Sequence, residues 1–185
     1  MIKKTLFFAL ALLLLTASQL FAGDVPQFKQ SDFPETITFA GVKHHLAFKE
    51  GNDKGPYILE YIPEGETLEK WTTLFAIRLE GHDLTPLQRA ATFANHLEKR
   101  GFKNAVFQSK DKKDVVLDFA TWPEDSSFYE HNLWRYFKPE KGLISYQYAR
   151  RFYMPDSSME QIKEYMMSKS KVVNEMFEFP LPPTP

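Results

Sequence analysis

The chain contains no cysteine among its 185 residues. A disulfide, a thiolate nucleophile and a thiolate metal site are therefore excluded. A bacterial lipoprotein anchor is excluded as well, because no cysteine follows the apolar N-terminal run that would carry it. A domain without disulfides has to be stabilised by its core alone. Aromatic residues make up 15% of the chain and supply large side chains for such a core.

The chain also lacks an excess of charge of one sign. Its 23 basic and 24 acidic side chains give a net charge of −1. Binding to phosphate backbones needs a basic excess, so the composition argues against nucleic acid as the main partner. It argues equally against a polybasic surface for membrane binding. The composition leaves the oligomeric state open.

Motifs for catalysis, cofactors and metals are missing too. The eight glycines occur singly, and no dinucleotide or nucleoside-triphosphate loop is present. The five histidines show neither an H-x-x-x-H nor an H-E-x-x-H spacing, and no G-x-S-x-G sequence occurs. The sequence therefore assigns no catalytic residue, no cofactor and no metal.

The S-x-x-K pattern of serine acyltransferases does occur twice, at Ser109/Lys112 and at Ser168/Lys171. Neither S-D-N nor K-T-G accompanies it, as the penicillin-binding pattern requires. The first pair lies in a charged connection and the second in a polar segment, which favours solvated surface positions. An unrecognised hydrolase stays open as a third function hypothesis.

The N-terminus has the pattern of a secretory signal peptide. Lys3 and Lys4 precede an apolar run over residues 6–15, and Ala22 ends a region suited to cleavage. The run is too short to cross a bilayer core, which needs about 20 residues. We therefore predict a signal peptide at residues 1–22, cleaved after Ala22, and a periplasmic or secreted location. No stable membrane insertion is expected after cleavage; an uncleaved anchor is the alternative.

The remainder of the chain has the size of one domain, without internal repeats or a linker. We predict a single α+β domain at residues 23–178. Four prolines at positions 180, 182, 183 and 185 cannot continue a helix, so residues 179–185 are predicted to form an extended Pro-rich tail.

Alternating apolar residues predict several strands in the first half of the domain. They are residues 36–41, 44–49, 57–62 and 71–79. A helix is expected next, because Thr85 can cap it, Pro86 suits its first position and Gly101 can end it.

Four more strand patterns follow without a helix between them. They are residues 105–109, 115–122, 131–138 and 143–153. Short connections, one of them with Gly142 in a hairpin loop, predict an antiparallel meander. Ser157 or Ser158 can cap a last helix. This order predicts an antiparallel sheet flanked by two main helices, an α–β–α sandwich of the α+β class.

The last predicted hairpin holds the best candidates for a binding site. If Lys138 pairs with Leu143 across its loop, Phe137 is predicted to pair with Ile144, Arg135 with Tyr146, Leu133 with Tyr148, and His131 with Arg150. Arg135 and Arg150 then share an apolar face with Tyr146 and Tyr148, and a guanidinium on such a face needs a partner. One interpretation is an anion or carboxylate site ringed by aromatics. The other is an internal ion pair, or arginines lying over tyrosines.

Residues 60–72 contain P-E-G-E at the end of a strand and W-T at the start of the next. This stretch resembles a box in small secreted bacterial proteins of uncharacterised function. The order of elements after it is similar to the Mog1/PsbP-like α–β–α sandwich. The resemblance implies a fold and an envelope location but no activity, and PsbP-type proteins are accessory subunits.

Two function hypotheses follow from these features. The leading one is an exported, non-enzymatic module that binds a protein partner or assists an assembly in the cell envelope. The alternative is a protein that binds a small anionic or aromatic-stacked ligand on the face with the two arginines. If the two arginines point into an open cavity, the ligand-binding hypothesis is favoured. If they form ion pairs in a closed core, a purely structural role of the arginines in a scaffold is favoured.

Overall fold

The computed structural model describes residues 28–53, 55–80, 84–139 and 142–181. The predicted signal peptide with its cleavage site, and the last four residues of the predicted tail, lie outside the described residues. Among the helices within the described ranges, none is long and apolar enough to cross a membrane.

One antiparallel sheet of eight strands and two α-helices form the described fold, which confirms the α+β class. A short 3-10 helix, Gln30–Asp32, precedes them. The elements are β1 (Thr36–Phe39), β2 (Val42–Gly51), β3 (Tyr57–Pro63), β4 (Thr73–Glu80), α1 (Pro86–Lys99), β5 (Asn104–Gln108), β6 (Val115–Thr121), β7 (Phe128–Phe137), β8 (Leu143–Tyr153) and α2 (Met159–Glu178).

The sheet consists of two meanders joined in its middle. Its strand order is β1-β2-β3-β4-β8-β7-β6-β5, and every neighbouring pair is antiparallel. The predicted meander β5 to β8 is thereby confirmed. Its last strand pairs with β4, so β1 and β5 become the two edges of the sheet.

The predicted register of the last hairpin is confirmed. Phe137 pairs with Ile144, Arg135 with Tyr146, Leu133 with Tyr148, and His131 with Arg150. Because side chains alternate along a strand, Arg135 and Arg150 share one face of the sheet, as expected.

Both helices begin at the capping boxes that their sequences indicate. The Thr85 hydroxyl accepts the N–H of Gln88 and the Gln88 side chain accepts the N–H of Thr85. Ser158 and Gln161 make the same pair of bonds at the start of α2. Of the two serines that could cap α2, Ser158 is therefore the one used.

Each helix packs into its own cluster of buried side chains. α2 contributes Val173 and Met176 to a cluster with Phe39, Leu59, Tyr61, Phe75, Ile77, Leu79, Val116, Leu133, Phe137, Ile144, Tyr146 and Tyr148. α1 contributes Ala90, Phe93, Ala94 and Leu97 to a cluster with Val115, Leu117, Phe119, Trp134, Tyr136 and Leu143. Alternate residues of β7 thus contact different helices.

Phe179, the first residue of the predicted tail, packs against the α2 cluster. Its ring centroid lies 5.6 Å from that of Phe39, 5.0 Å from Phe75 and 5.5 Å from Tyr146. These are favourable distances for aromatic pairs. The end of α2 is therefore held by an aromatic side chain as well as by the helix itself.

The β1–β2 turn places a non-glycine residue in the left-handed region. Ala40 has φ 50° and Gly41 has φ 74°. The left-handed backbone conformation costs an L-residue about 1–2 kcal/mol of free energy. The Ala40 N–H donates to Glu175 Oε1 on α2 at 2.7 Å, and this bond ties the turn to the helix.

Replacing Ala40 with glycine should raise the free energy of unfolding by about 0.5–1 kcal/mol, because relief of strain exceeds the added chain entropy. Gly41→Ala is the matched control. An added Cβ there meets no atom within 4 Å, so only backbone strain opposes it, and it should destabilise the protein. Urea unfolding of both variants measures the effect; a destabilised Ala40→Gly protein would contradict the strain argument.

His44 should make the stability depend on pH. Its side chain is fully buried, with Nε2 bonded to Thr73 Oγ1 at 3.0 Å, and burial lowers its pKa below the ordinary 6.5. Below that pH the unfolded chain binds a proton that the folded protein resists. The free energy of unfolding should therefore fall as the pH decreases from about 7 to 5.

Urea unfolding across this pH range tests the role of His44. The decrease should be smaller in His44→Gln, whereas His96→Gln, at an exposed position of α1, should keep the decrease of the unaltered protein. An unchanged pH profile in His44→Gln would show that another group is responsible.

Candidate functional site

An open groove of about 590 Å³ lies between α2, strand β8 and the β1–β2 turn. We call it the α2 groove. Ala40 and Gly41 line it from the turn, Tyr148 and Arg150 from β8, and Tyr165, Ser168, Lys171, Val172, Asn174, Glu175 and Glu178 from α2.

Arg150 is the exposed cation of this groove on the sheet side. The guanidinium carbon lies 4.7 Å from the ring centroid of Tyr165 and 5.1 Å from that of Phe152. Tyr148, two residues earlier on β8, lines the groove beside it. Within the described ranges, Arg150 forms no ion pair. The aromatic rings therefore orient a guanidinium whose charge is available to a ligand.

Arg135, the other candidate arginine, is closed off in the core. Its Nε and Nη2 donate to Asp114 Oδ2, and its Nη1 donates to the carbonyls of Met176 at 3.0 Å and Phe179 at 2.6 Å. These carbonyls belong to the end of α2, where a cation is favourable. Arg135 is thus a structural residue that holds α2 against β7.

Of the two candidate tyrosines, only Tyr148 lines the groove. Tyr146 is buried, with its ring against Phe75, Phe137 and Phe179, and burial raises its pKa. Tyr148 is also buried but reaches the α2 groove. Burial raises the pKa of Tyr148 to about 12, although Arg150 beside it favours the phenolate. The structure therefore brings Tyr148 and Arg150 together in the groove.

The α2 wall of the groove carries charges of both signs. Lys171 is basic, whereas Glu175 and Glu178 are acidic. One oxygen of Glu175 accepts the Ala40 N–H at 2.7 Å. Together with Arg150, the groove therefore offers two cations and two carboxylates.

Ser168 and Lys171 of the second S-x-x-K pattern both line the groove. The Ser168 hydroxyl donates to the carbonyl of Tyr165 in its own helix at 2.9 Å. This bond uses the proton that a base would have to remove. Sequence reasoning placed the pair on a solvated surface and missed the groove, because only the position of α2 on the sheet creates it.

A buried polar network lies directly behind the groove. The hydroxyl of Tyr165 bonds His131 Nδ1 at 2.8 Å, and His131 Nε2 bonds Asp118 Oδ1 at 2.9 Å. Lys169 Nζ donates to the other oxygen of Asp118 at 2.6 Å. A carboxylate only accepts, so His131 Nε2 donates to Asp118.

This network orients the ring of Tyr165 on which Arg150 lies. Burial alone would raise the pKa of Asp118, but the hydrogen bonds from His131 and Lys169 outweigh it and hold that pKa below its usual range. No motif or spacing in the sequence singles out these residues. One signal was available: antiparallel pairing of β6 with β7 puts Asp118 and His131 on the same face of the sheet, where both are polar residues among apolar neighbours.

No group of three or more His, Asp and Glu side chains that could hold a metal occurs within the part of the chain that the structure describes.

The two arginines should differ strongly in their effect on stability. Arg135→Gln leaves Asp114 and two carbonyls without their buried partner and should cost about 3–5 kcal/mol. Arg150→Gln loses exposed contacts with aromatic rings and should cost less than about 1 kcal/mol. Chemical unfolding of both variants gives the comparison. Equal losses would show that Arg150 is as structural as Arg135.

Comparison with known proteins identifies one match, to a protein family. Neither a curated protein nor a solved structure matches the chain. A protein-family model matches residues 31–181, which include all the described strands, the two described helices α1 and α2, and the α2 groove. Because this match covers more than half of the chain, the chain belongs to that family.

Proposed function

We propose that this chain is a non-catalytic binding protein whose α2 groove takes a carboxylate-bearing ligand. The observation that carries the proposal is Arg150, an exposed guanidinium in an open groove without an ion-pair partner among the described residues. A guanidinium of fixed orientation binds a carboxylate through two parallel N–H bonds.

The dimensions of the groove suit a small ligand or a short segment of a protein. Its volume of about 590 Å³ falls within the range of about 300–1,000 Å³ that ligand sites occupy. Tyr148 and Tyr165 supply aromatic surface beside Arg150, so the group attached to the carboxylate is expected to be apolar or aromatic.

The charges on α2 narrow the class of ligand. Glu175 and Glu178 would repel a polyanion, whereas one carboxylate can pair with Arg150 and approach Lys171. The two glutamates are suited to N–H or ammonium groups elsewhere on the same ligand. A single carboxylate combined with hydrogen-bond donors therefore fits best.

The carboxylate can come from a free molecule or from a protein. The protein source corresponds to the hypothesis of an exported module that binds an envelope partner. Export itself is proposed from Lys3, Lys4 and the apolar run that follows them. Both sources use the same chemistry at Arg150, so the experiment has to distinguish them.

For the fold, we propose the α–β–α sandwich and the relation to Mog1/PsbP-like proteins. Support comes from β7, where Leu133 and Phe137 belong to the α2 cluster while Trp134 and Tyr136 belong to the α1 cluster. Alternate residues of a strand point to opposite sides of a sheet. The accessory role of PsbP-type proteins agrees with a binding function.

Titration with two probes tests the groove. One probe is 3-phenylpropionate, and the other is a capped peptide with a glutamate between apolar residues. Calorimetry should show saturable binding of at least one, and Arg150→Gln should weaken it about tenfold, as the loss of a charged hydrogen bond predicts. 3-Phenylpropionamide, which lacks the charge, should bind weakly.

Two lysines of α2 provide a matched control. Lys171 lines the groove, whereas Lys163 lies outside it on the same helix and is exposed. Lys171→Gln should weaken binding several-fold, and Lys163→Gln should not.

The two probes distinguish the source of the carboxylate. Binding of 3-phenylpropionate alone indicates a small-molecule site, and binding of the peptide alone indicates a site for a protein partner. If neither probe binds, or if Arg150→Gln binds as well as the unaltered protein, the proposal is wrong.

A further inference from the structure

Strand β5 leaves one side of its backbone open at the edge of the sheet. Among the described strands it pairs with β6 alone, from Asn104 opposite Phe119 to Gln108 opposite Val115. The backbone N–H and C=O groups on its other side can therefore pair with an added strand.

The side chains of β5 are unusual for an unprotected edge. Val106 is 38% exposed and Phe107 is 40% exposed, and as neighbours in a strand they point to opposite faces. β5 itself contains no charged residue. Edges that only avoid aggregation commonly carry a charge or a proline within the strand. β5 instead offers apolar contacts on both faces to a strand beside it.

Basic residues flank both ends of this edge. Residues 99–113 contain six basic side chains and one acidic side chain, in a chain whose net charge is −1. The basic residues are Lys99, Arg100, Lys103, Lys110, Lys112 and Lys113. The Asn104 side chain bonds the Ala94 carbonyl and the Glu98 carboxylate, which places the end of α1 beside the start of β5.

An exposed aromatic surface continues from the start of β5. Trp122 is 48% exposed, and its ring centroid lies 5.2 Å from that of Phe102. Arg100 in turn lies over Phe102 at 5.4 Å. Tryptophan is the kind of residue that often anchors interfaces.

The charge decides what can occupy this edge. A second copy of the chain pairing through β5 would bring the basic groups of both copies together, whether the two strands ran parallel or antiparallel. An acidic segment would instead be attracted at both ends. We propose that β5 accepts, as a further strand of the sheet, an extended segment of a partner protein with alternating apolar residues and acidic flanks.

This inference is independent of the groove and of Arg150. Backbone hydrogen bonds to β5 would supply affinity, Val106 and Phe107 would select apolar residues, and the basic flanks would speed association. Because the flanking charges are exposed, binding should weaken as salt rises.

The probe is a synthetic peptide that alternates valine and threonine and carries acidic residues at both ends. Nuclear magnetic resonance should show saturable shifts at the amides of residues 104–108, with slower hydrogen exchange there. The same peptide with lysine in place of the acidic residues should bind about tenfold more weakly or worse. N-methylation of alternate peptide amides should abolish binding, because it removes the strand donors.

Matched variants separate the apolar from the charged contribution. Phe107→Ser should weaken binding several-fold, whereas Leu87→Ser, at an exposed position of α1, should not. Lys110→Glu with Lys113→Glu should weaken binding about tenfold and reduce its salt dependence. The same change of charge at Lys43 and Lys49 of β2 should have little effect.

The outcomes distinguish this surface from the groove. Arg150→Gln should leave binding of the acidic peptide unchanged, and Phe107→Ser should leave binding of 3-phenylpropionate unchanged. Absence of peptide binding at low salt, or shifts that leave the amides of residues 104–108 unaffected, would overturn the proposal. Self-association that Phe107→Ser abolishes would overturn the choice of occupant and assign the edge to a second copy.

Discussion

The buried guanidinium of Arg135 is the interaction on which the arrangement of this protein depends. It joins β7 to Asp114 before β6 and to the carbonyls of Met176 and Phe179 at the end of α2. A charge this deeply buried is tolerated only when every side of it is paired. The pairing holds the end of α2 onto the sheet, and Phe179 then fills the space among the core rings.

The position of α2 explains why two arginines on one sheet face have different roles. The last turn of α2 covers Arg135 and supplies its carbonyl partners. Arg150 lies farther along the sheet, where Tyr165 and the β1–β2 turn leave the α2 groove open. The ring of Tyr165 is fixed from behind, because its hydroxyl bonds His131, which Asp118 holds in turn. The same packing of α2 therefore buries Arg135 and leaves Arg150 exposed in the groove.

The two proposed surfaces use different chemistry in one small fold. The α2 groove combines two cations and two carboxylates around aromatic rings, which suits a ligand of mixed polarity. The β5 edge combines an open backbone with flanks that carry an excess of basic residues, which suits an extended acidic segment. The near-zero net charge of the chain conceals this asymmetry, because six of its 23 basic residues lie within residues 99–113.

Sequence alone determined the local structure of this protein well. Alternation in β4, the caps at Thr85 and Ser158 and the loop at Gly142 depend on neighbouring residues, so the strands, helix starts and hairpin register could be predicted. Tertiary structure alone decided the pairing of β4 with β8, the partners of Arg135 and the groove lining at Ser168. These features depend on which distant segments pack together. The same hydrophobic pattern along the sequence is compatible with several strand pairings and helix positions.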